Sequence, residues 1–191
     1  MKISNYLRFT GAALATALIG LSSAQAETYN QLVAQDSSVG FTYEQMGVRM
    51  DGEFREFTAT LSFDPAQVDQ AQASFQVNLG SVDLGAPDFD AELQKPDWFN
   101  TKAFPDATFE SKSIASKTDN LYEVQGVLTI KGEQQPVTFD AKFEQKADQG
   151  LFSGEFTIER AAFKIGEGSW SSFDIVANDV LVRFNLAATA Q

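Results

Sequence analysis

The sequence contains no histidine and no cysteine in its 191 residues. Their absence excludes Ser-His-Asp and Cys-His catalytic arrangements, thiol nucleophiles, and the ordinary His- or Cys-ligated zinc, haem and copper sites. A glycine loop of the dinucleotide or P-loop form is also lacking, because Gly166-Glu167-Gly168 has neither a third glycine nor a strand-to-helix context. The chain therefore has few groups suited to covalent catalysis.

Basic residues are scarce, with 14 Lys and Arg against 26 Asp and Glu and a net charge of −12. Such a field repels phosphate backbones and anionic lipid surfaces, so we expect no nucleic-acid partner and no electrostatic docking on membranes. Acidic clusters at 51–56 and 88–92 are typical of solvated surface. A calcium loop at 88–92 would need glycine at its sixth position, where Leu93 stands.

Long hydrophobic runs are missing too, since the apolar stretch 11–21 is too short to span a bilayer comfortably. Lys2 and Arg8 precede or border that stretch, and Ala24-Gln25-Ala26 follows it as a small-x-small cleavage site. This layout is that of a secretory signal peptide. We therefore expect removal of residues 1–26, one mature domain over 27–191, and a periplasmic location.

Phenylalanine is abundant, with 17 residues, and apolar side chains alternate with polar ones through most of the chain. In segment 57–63, for example, every second residue is apolar, which places those side chains on one face of a strand. Turn residues separate eight such segments, which favours an all-β antiparallel barrel or sandwich. The predicted strands are 38–45, 52–64, 73–84, 107–114, 121–131, 135–145, 150–161 and 174–187, with a further short one at 29–34.

Two segments interrupt the alternation. The first, 85–104, contains a predicted short helix at 88–94 ended by Pro96, followed by Trp98 and Phe99. The second, 161–173, carries Phe163 and Trp170 among glycines. Long excursions from compact domains tend to be functional, and each is equally consistent with a lid or with a hydrophobic plug at one barrel end.

Six motifs in a fixed order carry a family resemblance that covers nearly all of the mature chain. They are MGVRMDGEFREF at 46–57, LSFDP at 61–65, PDWFNTKAFPDATF at 96–109, GVLTIKGEQQPV at 126–137, FKIG at 163–166 and ANDVLVRF at 177–184. In this combination the chain resembles the YceI-like family of polyisoprenoid-binding periplasmic proteins. The resemblance implies an extended eight-stranded antiparallel barrel of lipocalin type, whose internal tunnel holds one polyisoprenoid tail such as that of ubiquinone.

The resemblance and the alternation together give a set of candidate ligand-binding residues. The predicted tunnel lining is Phe41, Tyr43, Phe75, Val77, Trp98, Phe99, Phe109, Leu128, Phe139, Phe156, Phe163 and Trp170. Tyr43, Gln45 and Glu92 are the candidates for contact with the head group. Many relatives have histidine where Gln45 and Glu92 stand, and a carboxylate would repel a phosphate, so we expect a neutral quinone or phenol head.

These observations favour a non-enzymatic protein that binds, stores or transports an isoprenoid lipid, without a cofactor or metal. Two other functions remain open from the sequence: a hydrolase that uses a carboxylate pair such as Glu53 and Glu56, and a filled barrel acting as a stress-related interaction protein. Transient contact with a membrane or membrane protein, and pairing as a homodimer, are also left open.

Overall fold

The structure is a computed structural model that describes residues 27–190. The expected signal peptide, residues 1–26, lies outside these described residues. Within them the chain forms eleven strands and one α-helix, joined by turns and short 3-10 segments. The strands are β1 Tyr29–Leu32, β2 Ser38–Gln45, β3 Val48–Phe54, β4 Phe57–Ser62, β5 Gln72–Asn78, β6 Val82–Asp83, β7 Asp106–Thr118, β8 Leu121–Ile130, β9 Glu133–Lys146, β10 Gln149–Glu159 and β11 Asp179–Ala190, and the helix is α1 Pro87–Leu93.

The alternation seen in the sequence becomes an inward and an outward face. Along β4 every second residue is half-buried and the others are exposed, and β8 alternates in the same way between buried and less buried positions. Successive side chains of a strand point to opposite faces of a sheet, so one face of each strand is directed into the molecule. The predicted all-β class is therefore confirmed.

The strands form one antiparallel sheet that curls until its ends meet. The order is β4-β5-β7-β8-β9-β10-β11-β2-β3-β6, and β1 pairs with β11. One end of this order is β4, and the other end carries β3 and its short partner β6. Only Arg55 and Glu56 separate β3 from β4, so one bent segment joins the two ends. The Arg55 amide donates to the Ser81 carbonyl (3.1 Å) and the Asn78 amide donates to the Glu56 carbonyl (3.0 Å), which continues the pairing across the bend. The predicted antiparallel barrel is confirmed.

Several predicted strand boundaries are wrong. The segment predicted as 52–64 is β3 and β4, and β3 begins earlier, at Val48, because Met46 (φ 51°) and Gly47 (φ 80°) form a two-residue hairpin turn. The segment predicted as 73–84 is β5 and β6, interrupted where the Asn78 side chain accepts a hydrogen bond from the Gly80 amide (2.9 Å). The predicted short strand at 29–34 is confirmed as β1, and the two divisions raise the total from the expected nine strands to eleven.

Two loops stand at one end of the barrel. The helix loop (residues 85–104) contains α1, close to its predicted position at 88–94. The arginine loop (residues 160–178) joins β10 to β11, so residues 174–178 are loop and not strand as predicted. The amides of Gly166 and Glu167 both donate to the Asp97 carbonyl (2.8 Å each), which ties the two loops together.

The opposite end of the barrel is closed by an aromatic plug, which we define as Tyr29, Phe63, Tyr122, Phe143 and Phe152. All five are buried, and neighbouring rings pack with centroid distances between 5.0 and 6.4 Å, several of them edge to face. Hydrogen bonds between the backbones of Tyr29 and Phe63 (2.8 and 3.1 Å) hold β1 against the end of β4. This end of the barrel is therefore tightly packed.

A search of residues 27–190 for a helix that is both long and apolar enough to cross a membrane finds none.

Candidate ligand-binding tunnel

The barrel encloses two adjoining cavities. The mouth chamber, about 200 Å³, lies under the helix loop and the arginine loop, and the inner chamber, about 140 Å³, ends at the aromatic plug. Both chambers are lined by one ring of residues, which we call the waist: Val39, Val77, Leu128, Phe156 and Val182. A single water occupies only about 10–15 Å³ measured in this way, so the interior is hollow. The two chambers and the waist form one tunnel.

The tunnel wall is almost entirely apolar. In the inner chamber Tyr122 carries the one polar side chain of the lining. In the mouth chamber the polar lining residues are Tyr43, Gln45, Glu92 and Arg160, apart from the indole N–H groups of two tryptophans. Apart from the Tyr122 hydroxyl, polar groups are thus confined to the mouth end, as expected of a site that takes an amphiphile with its apolar part inward.

Thirteen of the fourteen predicted site residues line the tunnel. Phe41, Tyr43, Gln45, Glu92, Trp98, Phe99 and Trp170 lie in the mouth chamber; Val77, Leu128 and Phe156 lie at the waist; Phe75, Phe109 and Phe139 lie in the inner chamber. Phe163 is the exception, because it ends the 3-10 segment Arg160–Phe163 and its side chain is 1% exposed within the packed core. It does not reach either chamber, so its assignment to the tunnel lining is corrected.

Arg160 is the main lining residue that the sequence analysis did not select. Its side chain is 2% exposed, and every one of its hydrogen-bond acceptors is a backbone carbonyl of the arginine loop. Nε donates to Ala177 (3.0 Å), Nη1 to Ile165 (2.8 Å) and Gly166 (3.0 Å), and Nη2 to Trp170 (2.9 Å) and Val176 (2.7 Å). The guanidinium has five N–H donors, so its hydrogen-bonding capacity is filled within the protein.

The burial of Arg160 has an electrostatic consequence. Desolvation lowers the pKa of Arg160 from its ordinary value. Carbonyl dipoles stabilise the charge, as do the rings of Trp98 and Phe173, whose centroids lie 6.0 and 5.2 Å from the guanidinium carbon. Because its donors are used, Arg160 holds the loop in place and offers no free donor to an anion in the chamber.

Strand parity could have identified Arg160. Phe156 and Ile158 are alternate residues at the end of β10, Arg160 continues the alternation directly after the strand, and all three line the mouth chamber. Phe156 was among the predicted lining residues, whereas Arg160 was not among them. An arginine at an inward position, followed by a loop containing Gly166 and Gly168, was the available signal.

The polar residues of the mouth chamber differ in their environments. Burial raises the pKa of the Tyr43 hydroxyl above its ordinary value. Glu92 is partly exposed and forms an ion pair with Lys95, so its charge at the chamber edge is partly offset. The main chain of Gln45 pairs with Val176, which anchors the end of β2 to the arginine loop.

Trp98 carries an unpaired donor. Its side chain is 7% exposed, and its Nε1 is the buried side-chain polar atom that has no hydrogen-bond partner among residues 27–190. The amide of Trp98 donates to Lys95 (3.0 Å), and the indole packs against Trp170 with centroids 5.4 Å apart. A buried N–H without an acceptor costs about 1–3 kcal/mol, so this position favours a ligand that brings an acceptor.

Apart from Glu92, the residues of the two acidic clusters lie outside the tunnel. Glu53 and Glu56 are exposed and line neither chamber, and the Glu56 carboxylate accepts a hydrogen bond from Asn78 (2.7 Å). In the cluster at 88–92, Asp90 accepts from the Leu84 amide (2.7 Å). Across the described part of the chain no group of three or more acidic residues is arranged to hold a metal ion.

Comparisons with known proteins agree with this architecture. The family model described as a YceI-like domain matches residues 31–188. The proteins named Protein YceI from Salmonella arizonae and Salmonella enteritidis are 32% identical over 146 residues, which cover 75% of this chain and 74% of theirs.

Solved structures show the same fold. The crystal structure of Burkholderia cenocepacia BcnA superposes with a TM-score of 0.81 at 37% identity, covering 83% of this chain and 100% of that one. A Campylobacter jejuni YceI protein gives a TM-score of 0.68 at 25% identity, with 73% and 84% covered. A domain from Saccharophagus degradans, described as polyisoprenoid-binding, gives 0.66 at 16% identity, with 87% and 99% covered, and supports the fold alone.

Proposed function

Because this chain belongs to the YceI-like family, we propose that it binds one isoprenoid lipid in the tunnel, tail inward, and stores or transports it without covalent chemistry. The observation that carries the proposal is the continuous apolar tunnel from the mouth chamber through the waist to the aromatic plug. The neighbour described as a polyisoprenoid-binding domain has the same fold, so this kind of barrel can accommodate a ligand of that class.

The tunnel suits a long hydrocarbon chain on energetic grounds. Transfer of apolar surface from water into such an interior is favourable by about 25 cal/mol per Å², or about 0.8 kcal/mol per CH₂. The chambers are already formed and have apolar walls, so binding requires little rearrangement of the barrel. Specificity for the chemical class then comes from the few polar groups near the mouth.

We infer that the head group is neutral and carries an oxygen acceptor, as a quinone does. The Trp98 N–H lacks an acceptor, while Tyr43 and Gln45 supply further hydrogen-bonding groups in the same chamber. A phosphate head would face the Glu92 carboxylate, and the Arg160 guanidinium has no donor left to bind it. These features favour ubiquinone-like lipids over polyprenyl phosphates.

The expected signal peptide at residues 1–26 supports a periplasmic location for this activity. A carrier there would take its lipid from a membrane and return it to one, so transient membrane contact belongs to the proposal. Homodimerisation stays a prediction, and native mass spectrometry of protein from its host would report subunit count and ligand mass together.

The experiment that tests the proposal compares protein purified from its host with a waist variant. Val77→Trp places a large ring across the waist, whereas Gln76→Trp places the same ring on the outer face of the same strand. We expect a co-purifying isoprenoid quinone in the native protein and in Gln76→Trp, and its loss from Val77→Trp. A polyprenyl phosphate in the extract would overturn the head-group inference, and a Val77→Trp variant that retains the full lipid would overturn the tunnel.

A further inference from the structure

Five large apolar side chains of residues 27–190 are exposed, by 36 to 74% of their surface, and they surround the mouth chamber. We call them the apolar rim: Met46, Val48, Phe89, Phe173 and Ile175. Met46 and Val48 flank the β2–β3 turn, Phe89 lies on α1, and the other two lie in the arginine loop. Large exposed apolar side chains gathered at one place indicate a contact surface.

Hydrogen bonds join the separate parts of the rim into one surface. The Met46 amide donates to the Ile175 carbonyl (2.9 Å), and the Ala177 amide donates to the Glu44 carbonyl (2.9 Å), so the turn is fixed to the arginine loop. Phe173 packs over the guanidinium of Arg160, which is itself held by five carbonyls. Phe89 lines the mouth chamber, so the rim is continuous with the tunnel wall.

The charged groups beside the rim are mainly acidic. Glu44 and Asp174 lie next to the turn and the loop, and Asp88 and Asp90 flank Phe89 on α1, whereas Arg49 adjoins Val48. The whole chain is also acidic, at −12. This balance opposes contact with an anionic bilayer, and it equally opposes pairing with the same surface of a second copy.

We propose that the apolar rim docks on an uncharged, zwitterionic lipid surface, with the mouth of the tunnel facing the bilayer. This inference rests on the proposed function, because an isoprenoid tail that moved between bilayer and tunnel through water would lose the favourable burial that binds it. Docking through the rim keeps that tail in an apolar environment throughout the transfer. Contact is made by insertion of apolar side chains and is limited by acidic repulsion.

The test is vesicle flotation with the mature protein, residues 27–191, and two kinds of vesicle. One consists of phosphatidylcholine, and the other contains equal parts of phosphatidylcholine and phosphatidylglycerol. We expect stronger binding to the first, and we expect added salt to raise binding to the second by screening the repulsion. Stronger binding to the anionic vesicles would overturn the inference.

The rim itself is tested by the double variant Met46→Ser/Val48→Ser, whose two residues line neither chamber, with Thr118→Ser at the plug end as the control. The double variant should float with phosphatidylcholine vesicles at least tenfold more weakly than the wild type and should take up quinone from vesicles more slowly. Its equilibrium binding of quinone added from a detergent solution should be unchanged, which also shows that the tunnel is intact. Undiminished vesicle binding by the double variant would overturn the docking surface.

The failure of docking and the failure of the proposed function give different results. Wild-type protein that contains isoprenoid lipid but does not bind vesicles refutes the rim and leaves the tunnel. Protein that binds vesicles through the rim but never contains a lipid refutes the proposed function. A wild type that is dimeric by native mass spectrometry, becomes monomeric in the double variant and does not bind vesicles would assign the rim to a second copy and overturn the inference.

Discussion

Replacement of Arg160 by methionine tests whether a single side chain holds the arginine loop. Methionine keeps the unbranched stem and its apolar packing but removes all five N–H donors. The carbonyls of Ile165, Gly166, Trp170, Val176 and Ala177 then lose their charged partner. We expect the free energy of unfolding to fall.

The expected magnitude follows from two opposing effects. Each buried carbonyl left unpaired costs about 1–3 kcal/mol, although some of the five can gain water at the mouth. Removal of the charge also relieves the desolvation that lowers the pKa of Arg160. If water satisfies two or three of the five carbonyls and the rest stay unpaired, the net cost is about 3–5 kcal/mol. For a domain of this size, 1 kcal/mol moves Tm by about 2–4 °C, so a decrease of about 10 °C is expected.

Urea unfolding of lipid-free protein measures the effect, and amide hydrogen exchange locates it. Protection should fall most over residues 165–177 and least in the strands around the aromatic plug. Unfolding midpoints of Arg160→Met and wild type that agree within error would refute the reasoning, since the carbonyls would then be satisfied without the guanidinium.

A matched substitution adds a coupling measurement. Gly166 has φ 77°, and a Cβ there would overlap Nη1 of Arg160. Gly166→Ala in the wild type should suffer both the backbone strain and this overlap, whereas in Arg160→Met only the strain, about 1–2 kcal/mol, remains. The double-mutant cycle should therefore be strongly non-additive. Additive losses would show that the two residues do not interact as described.

Three further outcomes are expected. Trp98→Phe should weaken binding of an isoprenoid quinone about tenfold, or about 1.4 kcal/mol, and should leave the affinity for a hydrocarbon of equal tail length unchanged. Fluorescence titration measures both affinities, with Trp170→Phe as the control. An equal loss for both ligands would contradict a hydrogen bond to the head group. Burial raises the pKa of the Tyr43 phenol, so its contribution to the free energy of unfolding should be full below about pH 10 and lost as the pH rises through the raised pKa. Lipid loading should shift the absorbance titration of Tyr43 further upward. An unchanged titration would count against the place of Tyr43 in the site. Hydrogen bonds from Thr42 and then Arg183 lower the pKa of Asp51, so its contribution is present above about pH 4 and lost as pH falls through the lowered pKa; Asp51→Asn should flatten that acid limb in urea midpoints.

The general fold followed from the sequence because its dominant signal is local. Alternation such as that of Phe57, Ala59 and Leu61 depends only on neighbouring residues, and it predicted the strands and their inward faces. The turn at Met46 and Gly47 was missed, since a methionine with positive φ gives little sequence signal of a hairpin. The bend at Arg55 is stabilised by the Ser81 carbonyl, which is distant along the chain. The local alternation of apolar and polar residues does not predict such a contact.

The candidate site was predicted in outline for the same reason. The prediction failed at positions whose geometry is determined by the loops. Parity placed Phe75, Phe109 and Phe139 at the inner chamber. Phe163 was assigned from its loop position, yet the loop turns through a 3-10 segment that buries it in the core. Arg160 was passed over because its acceptors lie up to 17 residues away along the chain and only the folded loop brings them together.

The aromatic plug closes one end of the tunnel, so the tunnel has a fixed depth against which the length of a lipid tail is measured. A tail shorter than the available depth enters completely and leaves an empty space at the bottom, whereas a longer tail must leave its surplus isoprene units in water at the top. The two mismatches carry different penalties, so discrimination against lipids should be gradual on the short side and abrupt on the long side. Under the proposed function, the position of the aromatic plug along the barrel therefore sets which tail lengths the protein retains.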